Sequence, residues 1–140
     1  MASPVPTSVI TVFLTRAHKV LLLRRSELVG SYRGLWAGVS GYLETEDPLE
    51  QAWIELSEEL GVKENNASLQ VAGEPIDVKD EVNDRHWVVH PFRFLLDDNF
   101  EPKMDWEHVE LKWILPGEIQ KENTVPDLWK AWSTVSKGFE

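Results

Sequence analysis

The sequence contains no cysteine, and it lacks any long run of apolar residues. Without cysteine the chain forms no disulfide bonds and has no thiol nucleophile. The longest apolar runs, such as residues 9–14 and 20–23, are far shorter than a membrane span, and the N-terminus has no basic segment followed by an apolar one. We therefore expect a protein that does not enter a membrane and is located in the cytoplasm, with the nucleus as an alternative.

Basic residues are also scarce. Lys and Arg together number 14 against 24 Asp and Glu, which gives a formal net charge of −10. Affinity for a long nucleic acid depends on clustered positive charge, so that class of partner is excluded. A small polyphosphate remains compatible if metal ions lie between carboxylates and phosphates. Hydrophobic residues make up 42% of the chain, which predicts one globular domain over residues 1–140.

Runs of β-branched and aliphatic residues predict several short strands. Residues 9–14 and 20–23 are expected to form a hairpin, residues 24–34 a loop, and residues 35–39 a short strand leading to Gly41. Pro91 inside the predicted strand 87–96 indicates an edge position or a bulge. Further predictions are strands at 69–72 and 111–115, a turn at 116–118, and a closing helix at 127–135 with Leu128, Trp129 and Trp132 on its apolar side.

A helix over residues 48–60 has clear start and stop signals. Asp47 is a suitable N-cap, Pro48 suits the first helical position, Glu50 lies three residues after the cap, and Gly61 supplies the stop. Apolar residues recur at three- and four-residue spacing and predict a single buried stripe. The stripe consists of Leu49, Ala52, Trp53, Leu56 and Leu60.

Three glutamates share one side of this helix. Glu55, Glu58 and Glu59 stand at i, i+3 and i+4, and the apolar stripe is expected to face away from them. Like charges at this spacing repel, and a hard cation such as Mg²⁺ or Mn²⁺ would reverse that sign. The alternative is an acidic face covered only by solvent.

The surroundings of these glutamates resemble the Nudix box, G-x5-E-x7-R-E-U-x-E-E-x-G-U, where U is aliphatic. Within residues 40–62, the matching positions are Glu46, Glu55, Leu56, Glu58, Glu59, Gly61 and Val62. Two positions depart from the pattern: Ser40 stands at the glycine position with Gly41 beside it, and Ile54 replaces the arginine. Residues 36–41 and 107–114 also look like flanking elements of the family.

The resemblance implies a fold and a set of roles. The expected fold is α/β (α+β), a Nudix-like mixed β-sheet sandwiched between α-helices. The expected activity is hydrolysis, dependent on Mg²⁺ or Mn²⁺, of a nucleoside diphosphate linked to another group or of a related organic pyrophosphate. The implied catalytic residues and metal ligands are Glu55, Glu58 and Glu59, with Glu110 slightly preferred over Glu107 as a further metal ligand and Glu46 as an outer carboxylate.

Substrate-binding candidates lie before and within the box. They are Arg24, Arg25, Arg33, Trp36 and Gly41, with Trp87 as a further stacking candidate. Arginine matches phosphate geometry and tryptophan stacks on a base, while the alternatives are surface positions for the arginines and core positions for the tryptophans. The four histidines show no zinc-site spacing.

Two other functions remain open at this point. In the family the box arginine orients the glutamates, and isoleucine cannot do so, which favours a catalytically weak or inactive nucleotide-binding module. The tryptophan-rich segment 128–135 suggests a protein-interaction module instead. The box leaves the substrate and the oligomeric state undetermined.

Overall fold

The computed structural model describes residues 3–139. Its elements follow the chain in the order β1 (Thr7–Arg16), β2 (Lys19–Arg25), β3 (Trp36–Ala37), β4 (Val39–Tyr42), α1 (Pro48–Leu60), β5 (Ala67–Ala72), β6 (Ile76–Asp80), β7 (Arg85–Leu96), β8 (His108–Ile114), a 3-10 helix (Pro116–Lys121) and α2 (Leu128–Val135). Among the described residues, no helix is long and apolar enough to cross a membrane.

The strands of the described residues form one mixed sheet, with β1 near its centre. On one side β1 pairs in parallel with β7, from Thr7 opposite Trp87 to Thr15 opposite Leu95. On its other side β1 pairs antiparallel with β2 at one end and with β4 at the other. β8 and β3 extend the sheet beyond β2, whereas β5 and β6 both pair with β7.

Alternating side chains of the central strands supply the two faces of the sheet. Val12 and Leu14 of β1 belong to the core cluster that contains Leu56 and Leu60 of α1. Phe13, between them, belongs to the opposite cluster with Trp132 of α2. Because successive strand residues point to opposite faces, one apolar run serves both layers. The predicted mixed sheet between helices is confirmed.

The β1–β2 hairpin is confirmed and closes through a two-residue turn. Ala17 and His18 both have positive φ, 52° and 65°. Positive φ at both central residues is the hairpin geometry whose twist matches the flanking strands.

Helix α1 is confirmed with its predicted caps. The Asp47 side chain accepts a hydrogen bond from the N–H of Leu49 at 3.0 Å. Gly61 has φ 71°, and its N–H donates to Ser57 O at 3.0 Å. The stripe residues Ala52, Leu56 and Leu60 are buried. The apolar stripe, however, does not face fully away from the glutamates as expected, because Glu55 and Glu59 are buried as well.

The prediction that Pro91 lies in an edge strand or at a bulge is corrected by the structure. It lies inside β7, which is paired along one side with β1. On its other side β7 pairs with β6 up to Val89 and with β5 from Phe92 onward, so Pro91 falls where the partner strand changes. Its carbonyl accepts from Gly73 at 2.9 Å. The missing N–H would point toward the same gap, where the regular ladder is interrupted anyway.

Three further differences concern the rest of the chain. Strand β6 was not predicted. Residues 116–118 begin a 3-10 helix instead of forming a simple turn. In α2, Leu128 and Trp132 are buried as expected, but Trp129 is 36% exposed and does not join the apolar side.

Candidate active site

Helix α1 presents its glutamates at different depths. Glu59 is 1% exposed and Glu55 is 7% exposed, whereas Glu58 is an exposed residue. All three stand in the C-terminal half of the helix, where the macrodipole disfavours negative charge.

The carboxyl group of Glu55 is enclosed by neighbours from the box. Its side chain packs against Gly41 of β4. Gln51, one turn earlier, donates from Nε2 to Glu55 Oε1 at 3.3 Å, and its own Oε1 accepts from the N–H groups of Glu44 and Thr45. Gln51 therefore ties the loop before the helix to Glu55.

Burial changes the acidity of this group of carboxyls. It raises the pKa of Glu55 from 4.5 to about 7. Burial, together with the charges of Glu107 and Glu55, raises the pKa of Glu59 well above its ordinary value. The pKa of Glu107 is also raised, first by burial and then by the charge of Asp105. Each carboxyl resists ionisation unless a positive charge arrives.

The carboxyl of Glu59 has unsatisfied oxygens. Neither Oε1 nor Oε2 has a hydrogen-bond partner among the described residues. A buried charged oxygen without a partner is strongly unfavourable, and oxygen donors of this kind suit Mg²⁺ or Mn²⁺. Across residues 3–139, no three acidic, imidazole or thiol groups form a ready-made cation site. The donor chemistry fits a hard divalent ion, and a common ligand set requires the glutamate side chains to rotate.

A cavity of about 410 Å³ opens beside these glutamates. Glu55, Glu58 and Glu107 line it on the acidic side, together with Arg25. Arg25 is anchored by a hydrogen bond from Nε to Ser31 O at 2.9 Å. Burial lowers the pKa of Arg25, and the charges of Glu59 and Glu107 oppose that effect.

Aromatic side chains line another part of the same cavity. The Trp87 ring lies 6.2 Å from that of Tyr32 and 6.3 Å from that of Tyr42. Trp87 Nε1 donates to the Tyr32 hydroxyl at 2.9 Å, and that hydroxyl donates to Asp80 at 2.7 Å. Trp106 also lines the cavity, yet it is 62% exposed. The cavity therefore combines carboxylates with flat apolar walls.

The structure brings some predicted site residues together and separates others. Arg25, Gly41 and Trp87 line the cavity with Glu55 and Glu58. Glu59 is buried beneath the surface of the cavity and is not among the described residues that line it, and the same list lacks Arg24, Arg33, Trp36, Glu46 and Glu110.

Four of the predicted residues that do not line the cavity make contacts elsewhere. Glu110 accepts from Arg24 Nε at 3.1 Å on the strand pair β2–β8. Arg33 donates to Val29 O at 2.9 Å. Trp36 is packed in the core cluster of α2, with Lys112 Nζ 4.1 Å from its ring centroid. For Trp36 the geometry agrees with the core alternative instead of base stacking.

Several cavity residues were not singled out from the sequence. They are Tyr32, Tyr42, Glu44, Trp106 and Asp127. Tyr42 and Glu44 carry a weak sequence signal because they lie within the box. The others come from loops whose approach to the cavity depends on tertiary structure.

Comparison with known proteins agrees with this geometry. A mixed sheet between two helices, with glutamates of one helix beside a cavity, is the arrangement expected of a Nudix fold. The model for the NUDIX domain matches residues 5–133, so the chain belongs to the Nudix family. The prediction of a pyrophosphohydrolase of this class is thereby confirmed at the level of the family. None of the curated proteins matches the sequence.

Solved structures show the same fold at low sequence identity. A C. elegans Ap4A hydrolase is 16% identical, with a TM-score of 0.72 and 93% of each chain covered. A MutT protein from Methanosarcina mazei Go1 is 22% identical, with a TM-score of 0.72, covering 93% of this chain and 91% of that one. The NUDIX domain of Shewanella oneidensis NrtR, complexed with ADP ribose, is 16% identical, with a TM-score of 0.66 and coverage of 96% and 87%.

Proposed function

We propose that the protein hydrolyses the diphosphate bond of a nucleoside diphosphate linked to another group, with Mg²⁺ or Mn²⁺ as cofactor. Glu55, Glu58 and Glu59 would hold the ion. The observation that carries the proposal is the buried Glu59 carboxyl, whose oxygens have no partner among the described residues, beside a cavity that has room for a ligand. A cation at this position would offset the cost of burying the charge.

The side chains around the cavity would have different roles in the reaction. Glu107 stands across the cavity from the helix, and Arg25 offers a guanidinium that matches phosphate oxygens. A divalent ion, when bound, supplies Lewis-acid stabilisation of the charge that develops on the phosphates. A carboxylate of the set accepts the proton of the attacking water, and the buried walls keep other water away.

The aromatic walls favour a substrate with a planar group. Tyr42 and Trp87 offer ring faces in the same cavity as the glutamates, and Trp106 adds an exposed indole. Stacking of this kind binds a nucleobase regardless of its hydrogen-bonding edge. The NrtR domain is complexed with ADP ribose, and the C. elegans relative is an Ap4A hydrolase, so both ligands belong in the first substrate panel. The location in the cytoplasm or nucleus remains a prediction.

The test is hydrolysis of a panel of pyrophosphates by the purified full chain with Mg²⁺ or Mn²⁺. ADP-ribose, Ap4A and nucleoside triphosphates form the panel, and product release is measured by chromatography. Glu59→Gln is expected to abolish release. Glu50→Gln, a change of the same kind at an exposed position of the same helix, is the control and should leave release unchanged. Hydrolysis that survives in Glu59→Gln would refute the assignment.

A nucleotide-binding module without turnover is the second candidate. Ile54 favours it, because this residue lines an outer groove with Leu49 and Trp53 and brings no positive charge to the glutamates. Calorimetric binding of ADP-ribose with no product release, in the presence of either metal, would support the module over the enzyme.

A further inference from the structure

A buried histidine lies directly behind the deepest glutamate of the site. His108, the first residue of β8, has its Nε2 3.5 Å from Glu59 Oε1. Its Nδ1 lies 3.6 Å from Asp105 Oδ1. The side chains of His108 and Glu59 are 0% and 1% exposed. The imidazole ring therefore stands in line between two carboxyl groups, away from solvent.

The ring nitrogens and the Glu59 oxygens are unsatisfied together. No atom of the described chain forms a hydrogen bond with Nδ1 or Nε2 of His108, and the same holds for Oε1 and Oε2 of Glu59. Unpaired buried polar atoms are rare in folded proteins, and each one requires an explanation. The distance of 3.5 Å is slightly too long for a hydrogen bond, and a small rotation of either side chain closes it. A hydrogen bond between His108 and Glu59 would therefore give each unsatisfied group a partner.

The turn before β8 fixes the ring at this place. Asp105 Oδ1 accepts from the N–H of Glu107 at 3.0 Å, and Asp105 O accepts from the N–H of His108 at 3.4 Å. The carbonyl of Glu107 accepts from the N–H of Ser26 at 2.8 Å, which ties the turn to the end of β2. Adjacent residues at the strand start point to opposite sides, so Glu107 lines the cavity while His108 is buried beneath α1.

We propose that His108 is a positioning residue that fixes the carboxylate of Glu59 beside the cavity-lining Glu55, with the turn at Asp105 holding the ring in place. The inference rests on the proposed function, because it assigns Glu59 to the ion. It requires the tautomer that carries a proton on Nε2, from which His108 donates to Glu59. His108 does not touch substrate, because its side chain is sealed from solvent.

A positioning residue is needed here because neighbouring carboxylates repel the carboxylate of Glu59. Glu55 and Glu107 carry like charges close to it. Within the described residues, no lysine or arginine nitrogen lies within 4.0 Å of Glu59; His108 is the one basic side chain within that distance. Groups behind a metal ligand set its orientation, and their removal typically costs about 10–100-fold in metal affinity or activity.

Two amide variants of His108 distinguish the effect of the position of the donor nitrogen from the effect of having a polar side chain. His108→Gln places its amide nitrogen near the position of Nε2, facing Glu59, whereas His108→Asn reaches only the position of Nδ1. Mn²⁺ affinity of the metal-free full chain is measured by calorimetry without substrate, at a temperature where each variant is shown to be folded. We expect His108→Gln to keep the affinity within about threefold and His108→Asn to lose about tenfold or more.

The same order is expected in kcat, with KM changed less. His86→Asn is the matched control, because its amide does not reach the position of Nε2 and so breaks an imidazole–carboxylate pair of 2.7 Å with Asp77 that lies outside the described lining of the cavity. It should leave Mn²⁺ affinity unchanged.

The outcomes separate the two proposals. Equal Mn²⁺ affinities for His108→Gln and His108→Asn, with Glu59→Gln still impaired, would overturn the role of His108 and leave the proposed function standing. Mn²⁺ binding that is unaffected by Glu59→Gln would overturn the metal assignment itself. A loss in His108→Asn that His108→Gln largely avoids, and that His86→Asn does not share, supports the inference.

Discussion

The backbone of Gly41 packs against the side chain of Glu55 so closely that a Cβ at Gly41 would overlap the carboxylate. Gly41 was proposed for substrate binding from the sequence, and it does line the cavity. Its absence of a side chain therefore also determines where a proposed metal ligand can stand. The following predictions start from this contact and move outward from the site.

Replacing Gly41 by Ala should displace Glu55 instead of unfolding the protein, because the obstructing atoms belong to a flexible side chain. A displacement of about 1 Å at a reacting centre costs about a hundredfold in rate, so kcat should fall by about that factor while the melting temperature changes little. Gly117→Ala is the control, since open space surrounds Gly117. Full activity in Gly41→Ala would contradict the proposed role of Glu55.

The metal-free protein should lose stability as pH rises. In the unfolded chain Glu55 deprotonates near pH 4.5, but burial keeps its proton in the folded state up to a pKa of about 7. Between these values unfolding releases a proton, so the free energy of unfolding falls through this window, and the raised pKa of Glu59 acts in the same direction.

Urea unfolding in EDTA at pH 5, 6, 7 and 8 measures this effect. Glu55→Gln cannot ionise at this position and should show a shallower fall than the wild type, and Mn²⁺ at pH 8 should restore stability to the wild type. The prediction fails if both proteins show the same slope across the window.

Trp106 should contribute to substrate binding more than to folding. The indole is 62% exposed, lines the cavity and packs against no other aromatic ring of the described chain. Stacking on a base is worth about 1–3 kcal/mol by alanine substitution, so KM for a nucleotide substrate should rise about tenfold in Trp106→Ala. Trp129→Ala, at an exposed site on α2, should leave KM unchanged. Equal KM values for the two variants would exclude stacking at Trp106.

Arg93 should matter for stability and not for the site. Its Nη1 donates to Val135 O at 2.9 Å and to Lys137 O at 3.1 Å, and its guanidinium lies 5.3 Å from the Phe139 ring. Arg93→Met leaves these carbonyls at the end of α2 without their donor, and the free energy of unfolding should fall by about 2 kcal/mol. Urea unfolding measures the loss, and Mn²⁺ affinity serves as the readout that should not move.

The sequence predicted the features that depend on local signals. Helix α1 has Asp47 and Gly61 at its ends, and these residues satisfy backbone groups within one turn of themselves. The β1–β2 hairpin likewise requires only neighbouring residues. The glutamates were correctly grouped on one helix, but their burial was missed because residues distant in sequence, such as Gly41 and His108, cover them.

The sequence alone could not decide whether Glu107 or Glu110 lies at the cavity. The ladder between β2 and β8 shifts register between Arg24 and Arg25, so that Arg24 lies opposite Glu110 and Arg25 opposite His108. A shift of one residue moves side chains to the opposite face of a sheet. Nothing in residues 107–114 signals that shift. Glu110 pairs with Arg24 in the regular part of the ladder, whereas Glu107, just before β8, lines the cavity. Strand β6 was missed for a related reason, because its largely polar residues become a strand only beside β7.

The parallel ladder between β1 and β7 also governs when the protein can fold during synthesis. Thr7 pairs with Trp87 and Thr15 with Leu95, so one side of β1 stays unpaired until the ribosome has synthesised β7. Until then the ribosome-bound chain exposes an apolar strand edge, a template for pairing with other nascent chains. Contacts of such long sequence separation form slowly, so a chaperone that shields the emerging hairpin would act before any catalytic centre exists.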